Sequence, residues 1–424
     1  MTDLALGLDL GTSGVRSAVV SGAGEVVATA RASYGPGGDD GGDPTRWWAA
    51  VAECLSAQAD ALAGAGHSMG EVARLGVDGT SGTVVLADSE IEPVTRALMY
   101  NDGGFDEEAE RIARFAPDPH VARGSGSALA RALRLQAEDR EGRARHLLHQ
   151  ADFVAARLAG RGGFSDFNNA LKTGADPATG SWPDWLGELL SPSLLPELFP
   201  PGAPVAHVAS EMARKFGFGD HMMVHTGTTD SIAAFLAAAR PEPGAAVTSL
   251  GTTLAIKLFS NKRIDAPELG LYAHRIGEGW LVGGASNTGG GVLRSFFKDE
   301  EIEDLSRQID PSVSSGLDYY PLPKPGERFP INDPTLSPRL APRPENDALF
   351  LHGILEGIAR IERLAYDALA EKGAPYPKAV ITAGGGAQNA TWRDMRQRIL
   401  GVPVVAVSTT EASVGTALLV QSFA

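Results

Sequence analysis

The sequence predicts an α/β protein of two domains, and three observations predict it. The chain has 424 residues, enough for two separate hydrophobic cores. Apolar runs of strand length are interspersed with amphipathic runs of helix length along the chain. A motif of strand, glycine-hydroxyl turn and strand opens the chain at Leu4, and a second version restarts it at Ala245.

The opening motif sets the chemistry. An apolar run ends in Asp9, then Gly11-Thr12-Ser13-Gly14 leads into a second apolar run through Val20. Two strands joined so tightly read as a β-hairpin. Gly11 and Gly14 permit backbone angles and close approaches that a side chain would forbid, so the turn can aim N–H groups at an anion. Thr12 and Ser13 add hydroxyl donors. Asp9 repels phosphate but suits Mg²⁺ held through water. A plain glycine hairpin with a solvated aspartate reads equally well from these residues alone.

Composition narrows the class. Hydrophobic residues make up 43% and charged residues 21%, ordinary for a globular chain. The formal net charge of −15 opposes binding to nucleic acid or to anionic membranes. A single cysteine, Cys54, excludes an internal disulfide and reads as an inert, half-buried thiol on a helix. No apolar stretch is long enough for a bilayer, and the first residues lack a basic region ahead of an apolar one. A cytoplasmic protein is expected (or a plastid one after loss of a transit peptide), monomeric or weakly self-associating.

The next elements follow in order. Residues 24–30 read as a third strand, and 35–43 as a turn-rich loop. A helix is predicted from Pro44 to Ala63, with Asp43 as N-cap and Trp47, Val51, Leu55 and Leu62 inside. Val72–Ala87 repeats the opening grammar around Asp78-Gly-Thr-Ser81-Gly, predicting a second tight hairpin with Ser81 at its turn. Residues 104–160 read as mostly helical. There Arg131, Arg134, Arg140, Arg143 and Arg145 alternate with acids, as on a solvated face. Met223–Ala239 is a short strand, then Gly227-Thr-Thr, then a helix headed by Asp230 as N-cap.

In the second half, Ala245–Leu258 is a hairpin around Gly251-Thr252-Thr253. Trp280–Gly291 is a strand entering a glycine-rich helix start. Residues 311–346 read as an ordered surface loop. Asp347–Lys372 is a long helix burying Leu351, Ile354, Leu355, Ile358, Ile361, Leu364 and Leu369. Lys378–Asn389 is a buried strand ending in Gly384-Gly385-Gly386, then a helix runs from about Thr391 to Leu400. Side-chain-free backbone at a helix start suits phosphate or a flat ring. Glu411–Val420 closes the chain as a helix of small residues, suited to tight packing at a domain junction.

No Gly-x-x-x-x-Gly-Lys-[Ser/Thr], no strand-linked Gly-x-Gly-x-x-Gly and no paired Cys/His set is present. Instead the order of motifs resembles the FGGY carbohydrate kinases, the sugar-kinase branch of the actin-like ATPases. Asp9-Leu-Gly-Thr-Ser-Gly is similar to that family's first phosphate motif, Gly227-Thr-Thr-Asp230 to its catalytic-base motif, Ser249-Leu-Gly-Thr-Thr to its second phosphate motif and Gly384-Gly-Gly-Ala-Gln-Asn389 to its adenosine motif. The short chain, Asp78-Gly-Thr-Ser-Gly-Thr and Ser315-Gly-Leu-Asp-Tyr-Tyr-Pro-Leu-Pro are similar to the cyanobacterial and plant D-ribulose kinase group, also described as xylulokinase-like. One departure is plain. The family's Trp-x-Asp-x-Arg sugar clamp is replaced by Met99-Tyr100-Asn101-Asp102-Gly103.

The resemblance implies two ribonuclease-H-like domains with a nucleotide and sugar cleft between them. They would span 1–237 with the last helix (411–424), and 238–410. It implies ATP-dependent phosphorylation of a ketopentose, D-ribulose first, with D-xylulose or another polyol as the alternative. Asp230 is implied as general base, and Asp9 as the carboxylate that holds Mg²⁺ through water and touches sugar. Ser13, Gly14, Val15 and Arg16 are implied on the substrate side, with Ser81 added at the sugar. Thr12, Thr252, Gly289, Gly385, Gly386, Ala387, Gln388 and Asn389 are implied for ATP/ADP. An actin- or chaperone-like ATPase without sugar transfer is the reading from another class.

Overall fold

The computed structural model describes residues 3–35, 42–407 and 410–422. The chain divides into two compact units, residues 1–237 with 410–424, and residues 238–409. Of the turn-rich loop expected at 35–43, residues 36–41 lie outside the described residues.

Unit 1 is built on one sheet. Its strands are β1 (Leu4–Leu10), β2 (Gly14–Val20), β3 (Val26–Ser33), β4 (Val72–Gly79), β9 (Pro204–His207), β10 (Met223–His225) and β11 (Thr228–Thr229). Their order is β3-β2-β1-β4-β10-β9, with β11 also against β4. The first three strands are antiparallel, whereas β4 runs parallel to β1 and to β10. Two short pairs lie outside this sheet, β5 (Val84–Ala87) with β6 (His146–His149), and β7 (Phe164–Asp166) with β8 (Glu197–Phe199).

The helices of unit 1 are α1 (Pro44–Gly64), α2 (Asp106–Ala113), α3 (Ala128–Glu138), α4 (Gln150–Ala159), α5 (Phe167–Ala170), α6 (Ser210–Phe216), α7 (Asp230–Ala238, its last residue across the boundary) and the C-terminal helix Ala412–Gln421. Helix α1 starts as the sequence predicts. Pro44 occupies the first turn, and Asp43 accepts from the Thr45 amide at 2.9 Å.

Strand periodicity explains both faces of this sheet. Leu4, Leu6, Leu8 and Leu10 enter a core with Trp47, Val51 and Leu55 of α1. Ala5, with Ala18 and Val20, packs instead on Val414, Ala417 and Val420 of the C-terminal helix. The small residues of that helix have a steric reason within unit 1. A Cβ at Gly415 would stand 1.7 Å from the Ala233 carbonyl oxygen.

Unit 2 repeats the plan. Its strands are β12 (Ala245–Leu250), β13 (Leu254–Ser260), β14 (His274–Ile276), β15 (Gly279–Val282), β16 (Ala285–Ser286), β17 (Ala379–Ala383) and β18 (Val404–Ala406). They are ordered β14-β15-β13-β12-β17-β18, with β16 against β13. The helices are α8 (Gly290–Arg294), α9 (Asp299–Ser306), α10 (Asp347–Glu371) and α11 (Ala390–Leu400), so the C-terminal helix of unit 1 is α12. Antiparallel strands followed by helix-linked parallel strands recur in both units, three antiparallel in unit 1 and four in the main path of unit 2. This is a ribonuclease-H-like core, as the resemblance implies.

A buried ion pair locks the middle of unit 2. Arg396 of α11 grips Glu362 of α10 with two bonds of 2.7 Å, and Thr248 of β12 donates to Glu362 at 2.6 Å. Arg396 also reaches Thr382 of β17 at 2.7 Å.

Several expectations are corrected. Val72–Ala87 is not a hairpin: β4 has β1 on one edge and β10 with β11 on the other, so β5 pairs with β6 instead. Cys54 is fully rather than half buried; burial raises its thiol pKa, and it donates to Ser17 at 3.3 Å. Arg131 is 1% exposed, not part of a solvated face. Leu364 is 47% exposed, because it falls off the core-facing stripe of α10. The 311–346 loop is more than surface, since Tyr319, Leu322, Glu327 and Phe329 are buried.

Candidate active site

In unit 1 the acids gather where the parallel strands end. Asp9 near the end of β1 is in register with Asp78 near the end of β4, and Thr228 of β11 is in register with Asp78 on its other side. Asp230 follows two residues later as the first residue of α7. The carboxyl ends of parallel strands are where open α/β sheets hold ligands. β11 runs straight into α7, so Asp230 is inside the helix rather than preceding it as the N-cap, and its Oδ1 accepts from the Ser231 amide at 2.6 Å. Gly227 is required for this approach: a Cβ there would lie 1.6 Å from the Val77 carbonyl oxygen.

Asp9 is nearly buried, and its Oδ2 accepts from Arg16 Nη1 at 3.0 Å. Arg16 also stands 3.6 Å from Glu411, ahead of α12. Burial works to lower the Arg16 pKa, but the hydrogen bond and charge of Asp9 outweigh it and the net shift is upward. Gly11 and Gly14 close the turn with an amide-to-carbonyl bond of 3.0 Å. Only Gly14 has the tight fit that was expected of both. A Cβ there would meet the Ala32 carbonyl oxygen at 2.3 Å, whereas at Gly11 the nearest atom is 3.5 Å away and φ is not positive. Val15 turns its side chain into the core, leaving its main chain in the β1–β2–β3 ladder.

Asp78 is fully buried, and Thr416 of α12 donates to its Oδ2. Burial first, then the charges of Asp9 and Asp230, push the Asp78 carboxyl well above the usual range. Two adjacent carboxyls sharing a dry site do not both ionise readily. Beyond it, Thr80 donates to Gln150 Oε1 from its amide (3.0 Å) and its hydroxyl (2.7 Å), and the Thr80 and Thr83 hydroxyls bond at 2.6 Å. Ser81 lies partly exposed on that turn.

A buttress stands behind Thr228. Asn168 donates to its hydroxyl at 3.2 Å and Asn169 to its carbonyl at 3.1 Å. Asp166 caps both asparagines and also accepts from Asn169 Nδ2 at 2.6 Å. Burial and then the charge of Asp152 raise the Asp166 pKa to about 7, against the opposing bonds from Asn169 and Asn168. Sequence reasoning missed this buttress. Phe167-Asn168-Asn169-Ala170 carries no phosphate- or metal-like pattern, and only the fold brings it to Thr228.

Unit 2 carries a cavity of about 860 Å³. Thr252, Gly385, Gly386, Gln388 and Asn389 line it, together with Gly290, Arg294, Ser306 and Arg307, which were not anticipated. Ala387 is buried and does not line it. Gly289 does not line it either; it precedes α8, where the Gly290 and Gly291 amides bond the Gly251 and Thr252 carbonyls at 2.8 and 2.9 Å. Asn389 caps α11 through the Trp392 amide (3.0 Å) and bonds Ser306 of α9 (2.8 Å), tying two walls of the cavity together.

Sequence comparison finds the N-terminal domain of the FGGY carbohydrate kinases over residues 4–237 and the C-terminal domain over residues 246–424. The chain belongs to the FGGY family of carbohydrate kinases. Relatives of this FGGY kinase include the xylulose kinase of Escherichia coli (strain K12), 24% identical, with 93% of this chain and 84% of the relative covered. The xylulose kinase of Streptomyces rubiginosus is 28% identical, over 94% of this chain and 83% of its own. The fold is shared with the xylulose kinase of Rhodospirillum rubrum (TM-score 0.84, 21% identity, 98% of this chain and 89% of that one). It is shared too with the gluconate kinase of Lactobacillus acidophilus (TM-score 0.84, 18% identity, 100% and 89% covered). The protein is therefore a carbohydrate kinase, of a family that uses ATP, with the acidic strand ends in unit 1 and the glycine-lined cavity in unit 2. No helix among the described residues is long and apolar enough to cross a membrane.

Proposed function

We propose that this FGGY kinase transfers the γ-phosphoryl group of ATP to the terminal hydroxyl of D-ribulose, giving D-ribulose 5-phosphate and ADP. The observation that carries the reading is Asp230, half-buried at the head of α7 and next in line to the strand-end acids Asp9 and Asp78. An alcohol is a weak nucleophile, and phosphoryl transfer depends mainly on positioning and charge stabilisation. Asp230 accepts the hydroxyl proton and aims the oxygen at phosphorus. The bond from the Ser231 amide holds the Asp230 carboxyl in place at the head of the helix.

Ser13, Gly14, the main chain of Val15, and Arg16 meet the substrate, with Ser81 at the sugar. Thr12 and Thr252 meet phosphate. Gly385, Gly386, Gln388 and Asn389 surround the nucleotide, with Gly289 and Ala387 supporting them from behind the cavity wall. Mg²⁺ fits the donor set near Asp9, since carboxylate oxygens are hard ligands. Among the described residues no three His, Cys, Asp or Glu side chains converge to hold a metal directly, so Asp9 would hold the ion through water. When bound, the ion supplies positive charge against the phosphate oxygens.

D-Xylulose is the second reading, favoured by the names of the relatives at 24% and 28% identity. A coupled ADP assay over D-ribulose, D-xylulose, glycerol and gluconate separates them. The largest kcat/KM on D-ribulose is expected. A larger value on D-xylulose replaces the first reading, and turnover of neither pentulose overturns both.

A further inference from the structure

Arg131 of α3 is a buried cation with no carboxylate accepting its hydrogen bonds among the described residues. Its Nη1 donates to the carbonyls of Gly126 (2.9 Å), Ser127 (3.1 Å) and Gly82 (3.4 Å). Its Nη2 donates to the carbonyls of Tyr100 (2.6 Å) and Asp102 (3.1 Å), while Nε has no partner among the described residues. Burying a charge and leaving one donor unpaired costs stability, and an apolar residue of similar volume would often serve the core as well. What an apolar residue could not do is hold carbonyls from three separate segments in one planar fork.

Two of those segments are the turn after β4 and the loop standing where the family's sugar clamp is absent. They are also joined directly, since the Tyr100 amide donates to Thr83 Oγ1 at 3.0 Å. Within the loop, Asp102 Oδ2 accepts from the Met99 amide at 2.8 Å. The carbonyls of Gly82, Tyr100 and Asp102 are thus occupied by Arg131. The Ser81 hydroxyl and the exposed Asn101 amide have no hydrogen-bond partner among the described residues. An amide and a hydroxyl can each donate and accept, as a polyol requires.

We propose that Arg131 is a positioning residue for sugar recognition. It fixes the Thr80–Thr83 turn and the Met99–Gly103 loop so that Ser81 and Asn101 meet the sugar hydroxyls. This rests on the reading that a ketopentose binds at this end of the unit 1 sheet.

The test measures KM for D-ribulose and D-xylulose, KM for ATP and kcat in Arg131→Met, Thr83→Val and Asn101→Ala, with circular dichroism melts as the fold control. Thr83→Val keeps the shape and removes the acceptor for the Tyr100 amide, so it decides the matter if Arg131→Met does not fold. Each variant is expected to raise the sugar KM by about tenfold, with the ATP KM kept within about threefold. A merely structural role would move both KM values together or neither. Sugar KM within about twofold of wild type in a folded Arg131→Met or Thr83→Val, or a parallel rise in the ATP KM, overturns the proposal. A wild-type enzyme that phosphorylates neither ketopentose instead overturns the substrate reading, and this inference falls with it.

Discussion

Asp9 and Asp78 face one another across the β1–β4 ladder, yet their bonded partners differ: Arg16 sits 3.0 Å from Asp9, while Asp78 is met by the Thr416 hydroxyl. Asp9 is thus held by a cation, whereas burial and then the charges of Asp9 and Asp230 push the Asp78 carboxyl well above the usual range. Asp78→Asn should leave stability within about 1 kcal/mol of wild type, because burial and the nearby acids already disfavour ionisation of this carboxyl and the amide keeps an acceptor for Thr416. Asp9→Asn should abolish most activity while the fold persists. Chemical denaturation and the coupled ADP assay on both variants check this; an inactive Asp9→Asn and an active Asp78→Asn is the expected pattern.

Asp230→Asn removes the base and keeps the shape. Sugar-dependent ADP formation should fall by about 10²–10⁴-fold. ADP affinity, measured by titration calorimetry, should be unchanged, since the cavity proposed for the nucleotide belongs to unit 2. Undiminished sugar-dependent turnover would remove Asp230 from the mechanism.

Asp166 makes stability depend on pH. Its folded pKa of about 7 lies above the ordinary carboxylate value, so the folded state binds a proton that the unfolded chain has released. That contribution is complete below the unfolded pKa and is lost as pH rises through about 7. Between pH 5 and pH 8 the loss should be on the order of 2 kcal/mol. Melts over that range should show a falling midpoint in wild type and a flatter dependence in Asp166→Asn, whose overall stability drops with the lost bond to Asn169.

Adjacent glycines of the last cluster should separate binding from folding. A Cβ at Gly385 meets nothing within 4 Å, whereas at Gly386 it would lie 2.8 Å from Trp392 and 2.9 Å from Leu250. Gly385→Ala should therefore keep the melting temperature and raise the ATP KM by placing a methyl at the cavity wall. Gly386→Ala should lower the melting temperature by overpacking, a cost of about 1–3 kcal/mol.

The buried Arg396–Glu362 pair should behave asymmetrically. Arg396→Met alone strands an acid in the unit 2 core and should cost about 3–5 kcal/mol. Arg396→Met with Glu362→Leu should recover much of that loss in urea denaturation, because neither charge then remains without its partner.

Local pattern carried a large share of this protein. Alternation and turn chemistry are short-range, so the β1–β2 and β12–β13 hairpins, the cap of α1 and the glycine cluster after β17 are legible in a few consecutive residues. The order of those motifs also carries the family. Strand pairing between distant segments is a different matter. The same grammar at residues 9–14 and 78–83 gives a hairpin once and a central parallel strand the second time, because β4 finds β1 and β10 on its edges. Arg131 shows the limit for single residues. Among acids in sequence it reads as solvated, and only burial against Gly82, Tyr100 and Asp102 shows what it holds. Period and turn type are properties of neighbours along the chain, whereas desolvation, register and the pKa of Asp78 or Asp166 belong to neighbours in space.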